Sequence, residues 1–218
     1  MLNGMKKLIL MACAVAMLAT VQAKPADHAK LSINKNNIKV WTIQNSQNPV
    51  FLYKAETTYD TALEKAVSLI LDVDHAVQWV PYMGSIKVLS RDDKKGEFLL
   101  YMVLDFPFPL KDRDLVVQGK MIKDAQGIIT IKNKAVDKGY AKNPDYVRLT
   151  HYEGDWTFQK LAHNKIKVST YGYANPEGSI PLTFVNMFVQ QQPYQMLQKM
   201  KTELGKPSGI PSLPEALR

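Results

Sequence analysis

The most regular apolar pattern in the chain lies near its C-terminus. Phe184, Val185, Phe188, Val189, Met196, Leu197, Met200 and Leu204 recur at three- and four-residue steps, which places them along one side of a long helix. Asn175, Pro176, Gly178 and Pro181 form a turn ahead of it. Ser179 is the expected N-cap, and Pro181 suits the first turn, where its missing N–H needs no partner. Pro193 interrupts the run and predicts a kink or a short break. Upstream the period falls to two. Ile38 to Ile43 alternates as a half-buried strand does, and Phe51 to Thr58 reads as a second strand beyond the turn-rich Asn45 to Pro49.

Two short helices interrupt the strands. Asp60 or Thr61 is placed to cap the first, with Leu63, Ala66, Val67, Ile70 and Leu71 at helical spacing, and Asp74 to Trp79 forms the second, stopped by Pro81. Then come Ile86–Ser90, Phe98–Leu104, Leu115–Met121, Ile128–Val136, Tyr146–Tyr152, Trp156–Leu161 and Ile166–Ala174. Their short connections predict an antiparallel meander. The pattern thus predicts an α+β domain over 37–205, a sheet whose apolar face is closed by the terminal helix. Residues 24–36 read as a loose polar lead-in. Residues 206–218, with three prolines and no periodicity, read as an extended or mobile tail.

The first residues change where this domain is expected to work. Met5-Lys6-Lys7, an apolar stretch over 8–20 and Val21-Gln22-Ala23 have the layout of a secretory leader over 1–23, cut after Ala23. The expectation is an exported, periplasmic protein. The only cysteine, Cys13, leaves with the leader, so the mature chain has no disulfide, no thiol nucleophile and no cysteine metal site. Roughly 195 residues are ample for an apolar core to hold it together. The charge of +8 falls to about +6 without Lys6 and Lys7, and the remaining lysines are scattered. That suits a solvated surface or transient contact with an anionic membrane, and gives nucleic acid no arginine-rich block to bind.

Three motifs then occur in order. Phe106-Pro107-Phe108-Pro109-Leu110-Lys111-Asp112-Arg113-Asp114 joins two central strands, Tyr146-Val147-Arg148 leads to Gly154-Asp155-Trp156, and Asn175 to Pro181 leads to Val185-Asn186. Together with Trp79 before Pro81 they make the chain resemble the START lipid-transfer family from about Ile38 to Leu204. The resemblance implies a helix-grip fold, a curved antiparallel sheet wrapped around the long C-terminal helix, with an internal cavity for a hydrophobic lipid. It also implies a monomeric, non-enzymatic carrier of a sterol-like, hopanoid, fatty acyl or phospholipid ligand, with no cofactor.

Acidic residues at both ends of Glu97–Asp105 put that face outside, so Phe98, Leu100, Met102 and Leu104 point inward. Gln118 and Lys120 likewise leave Leu115, Val117, Gly119 and Met121 inward. Such residues ordinarily fill a core; the resemblance implies that they line a cavity instead, together with Trp79 at its rim and Phe184, Met187, Phe188 and Gln191 from the helix. Related proteins with charged or sterol ligands commonly carry an inward arginine five residues after the motif aspartate. Here that position is Gly119, which favours a largely apolar ligand. Arg148 either faces solvent or is paired inside, with Asp155, Asp114 or Asp112 as its partner.

Catalysis needs a base beside a nucleophile or acid, held by a third group. The histidines His28, His75, His151 and His163 make no metal-binding pair, and no nucleophile elbow or phosphate-binding glycine loop is present. No catalytic or metal residue is therefore expected. The alternatives are a cyclase or aromatase-like enzyme using Arg148, His151 and Tyr152, and a periplasmic ligand sensor.

Overall fold

The computed structural model describes residues 28–45, 48–162, 164–209 and 212–218. The expected leader, its cleavage point and His163 lie outside the described residues. Strands β1 (His28–Lys35), β2 (Ile38–Asn45) and β3 (Asn48–Tyr59) are followed by helices α1 (Leu63–Leu71) and α2 (Val73–Trp79). Strands β4 (Met83–Asp92), β5 (Glu97–Leu104), β6 (Arg113–Lys123), β7 (Ile129–Val136), β8 (Val147–Arg148), β9 (Tyr152–Ala162) and β10 (Lys165–Ala174) come next. Helix α3 (Leu182–Gly205) and a single 3₁₀ turn (Glu215–Leu217) complete the order.

The strands form one sheet in the order β1-β2-β3-β10-β9-β7-β6-β5-β4, with every pair along this path antiparallel. The β3–β10 pairing joins the two ends of the chain's strand region, Tyr59 opposite Ile166 and Tyr53 opposite Gly172. Helix α3 packs on β1, β2 and β3 and meets α1 and α2, while α2 packs on β4. The three helices therefore share the sheet's apolar face. This is the α+β helix-grip arrangement that the pattern and the resemblance predict.

Pleat alternation decides what each face holds. On the helix side Phe98, Leu100, Leu115, Val117 and Met121 join Phe158, Val168, Leu197 and Met200 in the main core. On the opposite side Tyr101, Val103 and Val116 form a smaller core with Leu99, Val136 and Tyr146. Both faces of β5 and β6 are thus covered, which is why Phe98–Leu104 reads as almost continuously apolar.

Several expectations need correction. The polar lead-in is not loose from His28 onward: it is β1, paired with β2 from His28–Gln44 to Lys35–Ile38. Tyr146–Tyr152 is not one meander strand: Val147–Arg148 pair parallel to β6, and Tyr152 already belongs to β9, opposite Ala174. The 206–218 tail is not free either. Leu213 and Leu217, four residues apart, are buried in the main core, and Ala216 N–H donates to Asp93 O at 2.9 Å. Its prolines mask a spacing that works through one 3₁₀ turn. The N-caps fall at Ala62 and Pro181 rather than at Asp60, Thr61 or Ser179, and neither makes a side-chain capping bond. Helix α3 runs through Pro193, which is buried within it.

Candidate functional site

Between the sheet and the helices lies a cavity of about 230 Å³. Its floor is the inward row of β5, β6, β7 and β9, with Leu100, Met102, Leu115, Val117, Ile131 and Trp156. Its cover comes from α2 through Ala76 and Trp79, and from α3 through Phe188, Val189, Gln192 and Met196, residues that share one side of the helix at steps of three and four. Phe188 is held between two aromatic rings, Tyr82 at 4.6 Å and Phe106 at 5.7 Å between centroids.

Small residues open the β3–β10–β9 side. Gly172 and Gly154 face each other across β10 and β9. A Cβ at Gly172 would collide with the Tyr53 ring, and one at Gly154 with the Tyr152 ring. The two glycines therefore let both tyrosines lie down on the sheet, where they form part of the cavity wall. Burial pushes both phenols up, Tyr53 with some relief from a hydrogen bond to Thr170 and Tyr152 further raised by Tyr53 and Asp155. They stay protonated and neutral at physiological pH. Asn133 donates from Nδ2 to Gly154 O at 2.6 Å and sits at the same wall.

Position 119 presents no charge to the cavity, which Phe98 walls off there. Gly119 is covered by Phe98, whose ring occupies the space that any side chain there would need. Arg148 points to the opposite face. Its Nε and Nη2 donate to the two Asp114 carboxylate oxygens at 2.9 and 2.8 Å, and Tyr101 O–H donates to the same carboxylate at 3.0 Å. The Arg148 and Asp114 side chains are 6% and 0% exposed. Tyr140 stacks on Tyr101 at 4.0 Å over this cluster. Burial and the Asp114 hydrogen bond together push the Tyr101 phenol up to about 12. Arg113 ties two motifs together: it donates to Lys111 O, Pro176 O and Glu177 O and lies 4.5 Å over the Phe106 ring.

Of the residues expected to line the site, Trp79, Leu100, Met102, Leu104, Leu115, Val117 and Phe188 do. Met121 is inward and buried but belongs to the core away from the cavity, beside Gly96, to whose carbonyl its N–H donates at 2.7 Å. Arg148 is a correction of face, since it closes the smaller core. Phe184 is half-buried outside the lining, and Met187 and Gln191 are exposed. The helix is turned so that Gln192 and Met196 face in. Tyr53, Asn133, Tyr152 and Trp156 were missed, although the 152, 154, 156, 158 alternation of β9 carried the signal.

The group Arg148, His151 and Tyr152 is not assembled. Arg148 is on the far face, and His151 is exposed and paired with Glu177 at 3.1 Å, leaving Tyr152 alone at the cavity. His75 Nε2 lies 2.9 Å from Glu203. No group of three or more metal-ligating side chains occurs among the described residues.

A family model described as START domain matches residues 12–208. The crystal structure of a STAR-related lipid transfer protein from Xanthomonas axonopodis superposes with a TM-score of 0.76 at 26% identity, covering 83% of this chain and 100% of that one. Bovine phosphatidylcholine transfer protein is 24% identical over 162 residues, 72% of this chain and 75% of the relative. A Streptomyces aromatase/cyclase shares the fold at a TM-score of 0.51 and 11% identity, covering 70% of this chain and 92% of that one.

Proposed function

The chain belongs to the START domain family, and from that membership we propose that it binds one hydrophobic lipid in the cavity and carries it between membranes without altering it. The observation that carries this reading is the space itself. Protein cores close-pack, and unfilled apolar volume destabilises by about 24 cal/mol per Å³. A void of about 230 Å³ then represents a loss of about 5 kcal/mol, which an apolar ligand recovers by burial.

The carrier works in the periplasm, a reading supported by the basic, apolar and small-residue layout of 1–23. It meets the bilayer through the β5–β6 connection. Phe108 is 97% exposed at the tip of that loop, and the same loop supplies Phe106 against Phe188 at the cavity cover. An apolar ring held in water beside the ligand chamber suits shallow insertion at the lipid interface.

Transfer of a fluorescent acyl lipid between donor and acceptor vesicles tests the reading. The native chain is expected to accelerate transfer in proportion to its concentration, and Phe108→Ser to slow it several-fold with an unchanged melting temperature. Transfer no faster than the protein-free rate, across neutral and charged lipids, would remove the carrier function.

A further inference from the structure

Trp79 ends α2, is 2% exposed and forms part of the cavity wall. Its indole Nε1 is the one buried side-chain nitrogen or oxygen among the described residues without a hydrogen-bond partner. Buried donors are nearly always satisfied, and an unpaired one costs far more than a bond gains. Tryptophan N–H is a donor only, so what it lacks is an acceptor. The neighbouring helix supplies none: Gln192, its polar lining residue, turns Nε2 toward Met196 Sδ at 3.7 Å.

The phenols of the wall are neutral. Tyr53 and Tyr152 are held protonated by burial. Two charged residues reach the lining, Arg91 and Glu153; both are exposed at its edge and already paired, Arg91 Nη1 donating also to Leu71 O at 3.5 Å. Arg91 Nε donates to Asp93 at 2.6 Å, and Glu153 lies 4.0 Å from Lys134. A phosphate or ammonium inside would meet no counter-charge, and burying a charge without one is prohibitive.

We propose, resting on the carrier reading above, that the ligand is a small uncharged lipid whose oxygen accepts a hydrogen bond from Trp79 Nε1. The acceptor is an ester carbonyl on a single acyl chain or a hydroxyl on a ring system. The space, about 230 Å³ and below the roughly 300–1,000 Å³ usual for ligand pockets, leaves room for no more than one such molecule. The site reads an acceptor and refuses a charge, which separates it from a phospholipid headgroup site.

The test uses the mature chain with ¹⁵N-labelled indoles, so that Trp41, Trp79 and Trp156 each give one signal, assigned with Trp79→Phe. Four probes are titrated: methyl oleate, cholesterol, 1-octadecene and oleoyl lysophosphatidylcholine. Methyl oleate or cholesterol is expected to move the Trp79 Nε1–H signal downfield, and whichever does so identifies the ester or the ring hydroxyl. Trp79→Phe is expected to weaken that lipid five- to tenfold and leave 1-octadecene within twofold. Binding of either oxygenated lipid with the Trp79 signal unmoved and the variant's affinity unchanged overturns the proposal while leaving the carrier reading intact. Tightest binding of lysophosphatidylcholine, insensitive to Trp79→Phe, overturns it in the same way. Binding of none of the four overturns both.

Discussion

Gly119 shows how one residue shapes the chamber. Phe98 lies over it, so even a methyl group there must displace an aromatic ring from the cavity wall. Overpacking of this kind costs about 1–3 kcal/mol. Gly119→Ala is expected to lower the urea midpoint accordingly, and Phe98→Leu in the same chain to recover part of the loss, a coupling that a double-mutant cycle measures. The Arg148–Asp114 pair sits on the other side of the sheet and should separate stability from binding. Removing one partner of a buried ion pair costs about 3–5 kcal/mol, so Arg148→Met is expected to unfold at markedly lower urea while still taking up lipid when folded. Alternation showed Leu100, Met102, Leu115 and Val117 facing inward, because Glu97, Asp105, Gln118 and Lys120 mark the outer rows. It could not show that Arg148 had a closed face of its own, since that cover is built by Tyr140 and Tyr146 from a connection with no periodicity.

Helix α3 is anchored at its C-terminal half and meets the cavity with its N-terminal half. Tyr59 O–H donates to Leu197 O at 2.6 Å, Lys65 Nζ donates to Leu204 O and Lys206 O, and Glu203 joins His75 to Lys206. The Lys206 hydrogen bond, and after it the one from His75, hold the Glu203 carboxyl below its usual range. A carboxyl with a lowered folded value contributes stability that is complete above its unfolded value of about 4.3 and is lost as pH falls through the lower folded value. Urea unfolding from pH 7 to pH 3 is expected to find Glu203→Gln less stable than the native chain at neutral pH, with the difference closing at the acid end. The tail is a second anchor. Leu217→Ala is expected to cost about 2–5 kcal/mol, as for other buried leucines, whereas a loose tail would leave the midpoint unmoved. The stripe on α3 is legible from spacing, and its Phe188, Val189 and Met196 do line the cavity. Met187 and Gln191, read as lining beside Phe188, instead lie exposed, and Gln192 faces in, because neighbouring rotations of an apolar run satisfy the same three- and four-residue steps. β8 was illegible for a different reason: its pairing is tertiary, to β6, and its two residues carry no pattern.

The whole molecule is a sheet with one face closed by three helices and a chamber left between them. The antiparallel sense of the sheet, the closing helix and the inward rows could be read from period and turn chemistry; the β3–β10 pairing and the chamber could not, since one is tertiary and a lining residue and a packed one look alike in sequence. The Gly172–Gly154 pair that lays Tyr53 and Tyr152 flat depends on strands brought together by register. Filling the chamber distinguishes its function from its packing. Met102→Trp, from a half-buried wall position, is expected to abolish lipid uptake while holding or raising the melting temperature. The measurement to make is native mass spectrometry of the purified protein, with organic extraction of what travels with it. One lipid per protein molecule is expected, present on isolation or taken up on incubation, and lost in Met102→Trp. A clean protein mass after incubation with sterols, fatty acyl lipids and phospholipids would contradict the carrier reading.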